Sequence, residues 1–288
     1  MTSKIIAAGC AASLALANPV QSQEMDGSLT FGMAADQYFN TDDDVGGGVL
    51  SFDGSGHLTK DIAGFQMTID AALHRLLTPI EDVFDDASPT ALGALGVHVG
   101  KPTQNGYLGV FAGINAYEAY SDFTSVPLVF SDLTSKTGYL FGVEGTGEID
   151  FARYFWQLGT AKMEGDSYDG DLDTAFDGAF FKVGLRKASP LGDVFASLEA
   201  GSSPNIYEDE GDSGYYQVVN LGLEFPLSDR LTATAGIERQ AFTANTEDFA
   251  SVDRFYFSVR MPIGRGGAWD LQTTQMPGRA AAWAEVLD

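Results

Sequence analysis

The chain has 288 residues, with 40 acidic side chains against 16 Lys and Arg, and a formal net charge of −24. So acidic a surface repels nucleic acid and anionic lipid headgroups at long range, which excludes a nucleic-acid-binding protein. A hydrophobic content of 44% also excludes a disordered acidic chain.

The first 22 residues have the three parts of a secretory signal peptide. Lys4 supplies the positive charge and Ile5–Ala17 the apolar stretch. Val20-Gln21-Ser22 then supplies the small residues of a cleavage site after Ser22, with cleavage after Ala17 as the alternative. Cys10 allows a second alternative, a lipidated N-terminus. No later segment approaches 18 uninterrupted apolar residues, so we predict no transmembrane helix. The mature chain is therefore either a soluble exported protein or a membrane β-barrel.

Twelve strand-like segments follow, each about ten residues long, which is the length a tilted strand needs to cross a bilayer. They are Ser28–Ala35, Gly48–Leu58, Phe65–Arg75, Thr90–Gly100, Tyr107–Tyr117, Gly138–Ile149, Phe151–Lys162, Gly178–Lys187, Val194–Gly201, Tyr215–Phe225, Leu231–Ala241 and Arg254–Met261.

The connections between these segments are short and long in turn. The short ones carry the Pro, Asn, Asp and Gly residues of reverse turns, and we place them at 60–64, 101–106, 150, 189–193 and 226–229. The long ones hold more than half of the 40 acidic residues and a single base, Lys136, and lie at 36–47, 76–89, 118–137, 163–177, 202–214 and 242–253. This sorting is typical of outer-membrane barrels, which have short periplasmic turns and longer extracellular loops.

The sequence therefore predicts an all-β fold: a single antiparallel transmembrane β-barrel of about twelve strands, with short periplasmic turns and long acidic extracellular loops. An even strand count returns both termini to the periplasm. Ten or fourteen strands, or a secreted β-sandwich, remain as alternatives. Tyrosines near the strand ends, among them Tyr107, Tyr139 and Tyr216, suit interfacial aromatic girdles.

Apolar and polar side chains alternate within the predicted strands. Phe255, Phe257 and Val259, for example, alternate with Tyr256 and Ser258. In a barrel the apolar set faces lipid and the polar set faces the lumen. This projection predicts ten pore-lining charged residues: Asp53, Asp70, Glu144, Arg153, Lys182, Arg186, Glu199, Glu224, Glu238 and Arg260.

Charged rings of this kind favour a channel for passive diffusion of small solutes, with a preference for cations or neutral molecules. The first alternative is a structural or surface-interaction barrel in which these charges pair across the lumen and close it. The second is an outer-membrane hydrolase, for which His74 beside the acidic segment Glu81–Asp86 is the remaining candidate. We predict that the protein is not an enzyme.

We expect no cofactor. Asp169, Asp171 and Asp173 have the spacing of a calcium loop, and a loosely held calcium ion is the alternative to a solvated acidic loop. The match is poor because Thr174 stands where the loop needs glycine and Phe180 where it needs glutamate.

In architecture the chain resembles the Gram-negative porin-like barrels over Ser28–Met261. No specific motif carries this resemblance, so no functional residue is transferred from it. It implies an outer-membrane location with membrane lipid and small solutes as partners, and it leaves a homo-oligomer open. We divide the chain into a signal peptide (1–22), a barrel (23–263) and a C-terminal tail (264–288). The tail departs from such barrels, which typically end on an aromatic residue of the last strand.

Overall fold

The computed structural model describes residues 25–40, 48–77, 88–120, 134–164, 174–203, 213–244 and 248–264. These residues form twelve strands: β1 (Asp26–Asn40), β2 (Gly48–Ile62), β3 (Phe65–Leu76), β4 (Ser88–Thr103), β5 (Gly106–Tyr120), β6 (Thr134–Ile149), β7 (Ala152–Glu164), β8 (Thr174–Ser189), β9 (Gly192–Ser203), β10 (Gly214–Ser228), β11 (Leu231–Ala244) and β12 (Asp248–Ile263).

The twelve strands form one closed antiparallel barrel. Each strand pairs with its neighbours along the chain, and β1 pairs with β12 from Gly27–Ile263 to Asn40–Ala250. Closure leaves no strand edge unpaired. The predicted fold, a twelve-stranded antiparallel barrel that resembles porin-like barrels in architecture, is confirmed.

Five two-residue turns, centred on residues 63–64, 104–105, 150–151, 190–191 and 229–230, define the short-turn end of the barrel. In the first of them Ala63 and Gly64 have φ values of 53° and 83°, the backbone of the type I′ turn that suits the twist of a hairpin. Four of the five predicted turns were too long, and Lys60 and Lys101, for example, still belong to strands. At these strand ends the backbone pairing continues through polar residues, so the alternation of apolar and polar side chains does not reveal where the strands end. The turn predicted at Asp150 was too short, because Phe151 also belongs to it.

At the opposite, long-loop end the connections are also shorter than predicted. Of the segment predicted as a loop over 242–253, for example, residues 242–244 belong to β11 and residues 248–253 to β12. Asp36, predicted to begin the first long loop, lies inside β1 and is buried. The strands are 12–16 residues long, so their ladders extend past the apolar segments that made them recognisable.

The outer surface of the barrel is apolar. Its exposed side chains include Phe31, Met33, Leu108, Val110, Ile114, Phe141, Val143, Leu158, Val183, Leu185, Leu221, Ile237, Phe255 and Phe257. The buried side chains include many charged ones, and Glu144 and Asp70 are among the largest side chains that are fully buried. The predicted alternation is therefore correct, and it separates an apolar outside from a polar inside.

Among the described residues, none forms a helix long and apolar enough to cross a membrane. The predicted signal peptide and nearly all of the predicted tail lie outside the described residues, so the domain bounds at 22 and 263 stay predictions.

Candidate functional site: the barrel interior

Contacts between strands that are not neighbours show which side chains point inward. Arg260 of β12 meets Glu224 of β10, and His98 of β4 meets Glu144 of β6. Such pairs reach past the strand between them, so they can form only inside the barrel. Contacts and strand alternation place all ten predicted charged residues on this interior side. Whether they line a conducting pore stays a prediction.

The first interior cluster, the Arg254 cluster, joins four strands at the long-loop half of the barrel. Arg254 pairs with Asp53 of β2, and its Nε lies 3.6 Å from Oδ1 of Asp36. His74 Nδ1 lies 2.9 Å from the other oxygen of Asp53, and the Ser51 hydroxyl donates to Asp36 at 2.7 Å. One guanidinium thus compensates two carboxylates. Asp53 remains 27% exposed, so solvent reaches this cluster.

The second cluster, the acid–histidine cluster, is dry. His98 Nε2 lies 2.8 Å from Asp70, and His98 Nδ1 lies 2.8 Å from both carboxylate oxygens of Glu144. The Gln157 amide donates to Glu144 at 2.9 Å. Asp70 and His98 are 2% exposed and Glu144 is 0% exposed. Ionised carboxylates only accept hydrogen bonds, so a ring that serves both of them donates from both nitrogens and carries a positive charge.

The third cluster, the arginine–carboxylate chain, crosses the short-turn half of the interior. Glu224 receives Arg186 Nη2 at 2.8 Å on one oxygen and Arg260 on the other. Beside it, Lys182 Nζ lies 3.6 Å from Glu199. Buried charges are tolerated when they are paired in this way, and each of these bases meets a carboxylate.

Glu238 lies beside two side-chain amides and a tyrosine hydroxyl. The side-chain amides of Asn220 and Gln240 donate to it at 3.1 Å and 2.7 Å. The Tyr256 hydroxyl in turn donates to Asn220 at 2.7 Å. These contacts hold Glu238 in place on the interior wall.

Aromatic rings cover the interior wall from β5 to β10. This aromatic wall consists of Phe111, Phe155, Phe180, Phe195 and Tyr216, all buried. Four of these rings face a glycine directly across the strand pair: Phe155–Gly184, Phe180–Gly159, Phe195–Gly222 and Tyr216–Gly201. Each ring lies so close to the backbone that a Cβ on its glycine would touch or overlap it. The missing side chains therefore let the rings lie along the wall.

Phe111 connects the aromatic wall to the acid–histidine cluster. Its ring stacks on His98 with centroids 6.0 Å apart and lies 6.1 Å from that of Phe180. This packing explains why His98 and its carboxylates are sheltered from water.

The interior surface of β1 to β4 is different, because small side chains dominate it. We call it the small-residue wall; it comprises Ser28, Thr30, Gly32, Ala34, Ser51, Ser55, Thr59, Thr68, Ala72, Ala94 and Gly96. Thr30 faces Ser55 across the strand pair, and both are half-buried, as is Ser258 on the adjoining β12. The side chains of this wall therefore extend less far into the interior than the rings of the aromatic wall do.

Carboxylates outnumber cations inside. Among the described interior side chains in these clusters, seven are acidic (Asp36, Asp53, Asp70, Glu144, Glu199, Glu224 and Glu238) and four are Lys or Arg (Lys182, Arg186, Arg254 and Arg260). The predicted residue Arg153 lies at the rim of the short-turn end, where it is 54% exposed and pairs with Glu148 at 3.0 Å. It contributes no net charge to the interior.

The three histidines are buried inside the barrel, each beside a polar side chain. His74, the hydrolase candidate, binds Asp53 inside the barrel, and Glu81–Asp86 lies outside the described residues. Ser28 Oγ lies 3.4 Å from His57 Nδ1, but both residues are buried.

Asp169, Asp171 and Asp173 also lie outside the described residues. Within the part of the chain that the structure describes, no group of three or more His, Cys, Asp and Glu side chains has the arrangement of a metal site.

Sequence reasoning missed several interior residues. Arg254 was predicted at a strand end and Asp36 in a loop, and His98 was not among the predicted site residues. Tyr107 and Tyr216, predicted for the interfacial girdles, are buried inside the barrel, whereas Tyr139 is exposed on the outer face. Strand alternation distinguishes these tyrosines, because each shares a face with known interior residues of its strand.

No protein-family model and no curated protein matches the sequence. Solved structures with similar chains include the TodX deltaS2S3 mutant monoaromatic hydrocarbon channel, with 9% identity, a TM-score of 0.47 and coverage of 86% of this chain and 93% of the other. The translocator domain of the autotransporter NalP from Neisseria meningitidis shows 11% identity, a TM-score of 0.48 and coverage of 89% and 95%. Acinetobacter baumannii OccAB4 shows 10% identity, a TM-score of 0.36 and coverage of 85% and 100%. These similarities assign neither a family nor a function.

Proposed function

We propose that the protein is an outer-membrane channel through which small neutral or cationic solutes diffuse passively. One observation carries this proposal: large apolar side chains cover the outside of a closed barrel, and ionised side chains fill its inside. A soluble protein has the reverse arrangement. Exposure of so apolar an outer surface is favourable in a lipid bilayer. Closure of the barrel leaves no strand edge with unpaired backbone groups in the lipid.

The route that we propose follows the small-residue wall. Thr30, Ser55 and Ser258 remain half-buried, whereas the aromatic wall opposite is packed. Asp53 is the interior carboxylate that solvent reaches on this side. The excess of carboxylates over cations supports a preference for cations and neutral molecules over anions.

A plugged structural barrel is the second candidate. The dry contact between His98, Asp70 and Glu144 favours it, because water does not pass through that part of the interior. The two candidates differ in whether the space beside β1 to β4 is continuous from one end of the barrel to the other.

Single-channel conductance in planar bilayers tests the proposal. The mature chain should show discrete conductance steps in KCl. In a salt gradient, the sign of its reversal potential should be that of a cation-selective channel. Thr30→Trp should lower the conductance several-fold, because the indole would occupy the space beside the small-residue wall. Phe31→Trp is the matched control, since Phe31 faces outward and is 53% exposed.

The outcomes separate the candidates. Absence of conductance from a correctly folded barrel would overturn the channel and support the plugged structure. Equal conductance of the Thr30→Trp and wild-type proteins would show that the route does not follow the small-residue wall.

A further inference from the structure

We propose that the outer rim of the short-turn end binds the headgroups of anionic phospholipids. This inference rests on the proposed membrane location. It concerns a charge pattern that the channel does not use. The net charge of the whole chain leads one to expect repulsion of anionic lipids, and the inference is the opposite.

The charged strand residues at the short-turn rim are sorted by the face on which they lie, whereas Asp150, Asp229 and Arg230 lie in the turns. Three lysines occupy strand positions that alternation turns outward: Lys60 of β2, Lys101 of β4 and Lys187 of β8. The acidic strand residues of the same rim occupy inward positions, namely Asp26, Asp61, Glu148 and Asp193. Among the described strand residues at this rim, every charged side chain on the outward face is therefore a lysine.

Each lysine directly follows the apolar outer surface of its strand. Lys60 follows Leu58, Lys101 follows Val99, and Lys187 follows Leu185 on the same face. All three are half-buried or exposed. A lysine in this position lays its aliphatic stem along the apolar surface and extends its ammonium group to the level of the headgroups.

The three lysines lie on two opposite sides of the barrel. Lys60 and Lys101 are two strands apart, whereas Lys187 lies six strands from Lys60 in a ring of twelve. The Lys187 ammonium is 5.9 Å from the centre of the exposed Phe151 ring, which also faces the rim. Cations on both sides of the barrel would hold its short-turn end level at the headgroup layer.

The chemistry that these groups recognise is a phosphodiester that bears a net negative charge. A lysine near an anionic bilayer surface strengthens the interaction about fivefold, the equivalent of about 1 kcal/mol. A zwitterionic headgroup gains less because its own ammonium group opposes the lysine. Since the effect acts over a Debye length, the long-range repulsion by the acidic loops at the other end does not cancel it.

Electron spin resonance with spin-labelled lipids tests this inference on the full mature barrel in phosphatidylcholine vesicles. Lipids at the barrel surface give a motionally restricted signal, and its size yields the association constant for each headgroup. For the wild type, the phosphatidylglycerol constant should exceed the phosphatidylcholine constant about twofold when averaged over all boundary lipids, and 1 M NaCl should reduce the ratio to about one.

Three variants make the test specific. Lys60→Gln/Lys101→Gln/Lys187→Gln should lower the ratio to about one, and the corresponding Lys→Arg triple variant should retain the wild-type ratio. Arg153→Gln, which neutralises a base of the same end that lies in an inward position and pairs with Glu148, should also retain it.

A wild-type ratio of one, or a ratio unchanged in the Lys→Gln variant, would overturn the lipid inference alone. Absence of any restricted signal would mean that the barrel is not in the bilayer, and it would overturn the proposed function as well.

Discussion

Replacement of His98 by leucine would show how dry the barrel interior is. The His98 ring contacts Asp70 and Glu144 at 2.8 Å. Asp70 and His98 are 2% exposed, and Glu144 is 0% exposed. Leucine fills a similar volume and donates no hydrogen bond. Removal of one partner from a buried ion pair costs about 3–5 kcal/mol, whereas removal from a solvated pair costs about 0–1 kcal/mol.

We therefore expect His98→Leu to lower the free energy of unfolding by about 3–5 kcal/mol. Urea titration of the barrel in lipid vesicles, followed by tryptophan fluorescence, measures this change. The variant Asp70→Asn/His98→Leu/Glu144→Gln should lose only about 1–3 kcal/mol, because neutral amides are less costly to bury than unpaired carboxylates.

His74→Leu is the matched control. Asp53 keeps Arg254 as a partner in that variant, so the expected loss is about 1–2 kcal/mol. A loss below about 1 kcal/mol for His98→Leu would refute the reasoning, because it would show that water already reaches the two carboxylates.

Three further predictions concern the wall, the outer surface and ion selectivity. Gly184→Ala should lower the free energy of unfolding by about 1–3 kcal/mol, because its Cβ would overlap the Phe155 ring. Gly54→Ala, whose Cβ would have its nearest neighbour 3.6 Å away, should leave that free energy unchanged. Urea titration measures both variants, and equal effects would contradict the packing. Val183→Arg, in the middle of the outer face, should lower the free energy of unfolding in lipid vesicles by about 2–4 kcal/mol. Leu227→Arg, near the rim, should lower it by about 0–1 kcal/mol, and the reverse order would exclude the proposed placement in the bilayer. Asp53→Asn should shift the reversal potential in a KCl gradient in the direction of greater anion permeability. Asp177→Asn should leave the reversal potential unchanged, because Asp177 is exposed and paired with Lys162 on the outer face. If Asp53→Asn causes no shift, Asp53 does not lie on the route.

The sequence predicted the barrel well because strand alternation and the sorting of connection lengths are both local properties. It placed all twelve strands and put all ten charged candidates on the interior side. Strand ends were less accurate, since Asp36 and Lys60 continue a backbone ladder without the apolar alternation that marks the rest of the strand.

The partners of the interior residues could not be predicted in the same way. The contact between His98 and Glu144 depends on which residues reach one level after the strands have taken their register. Arg254 meets Asp53 only because β12 and β2 lie on either side of β1 in the closed barrel. The position of Phe155 over Gly184 depends on the same register, and a single sequence contains no direct record of it.

The pairing of β1 with β12 has a consequence for assembly. Every other strand pair joins neighbours along the chain, so hairpins can form one after another with short loop closures. Until β12 arrives, the growing sheet has two free edges that offer unpaired backbone groups to other chains. The contact from Gly27–Ile263 to Asn40–Ala250 can form only when both ends of the barrel sequence are present, and it closes a longer loop than any other strand pair does. A chain truncated before β12 would remain an open sheet and aggregate.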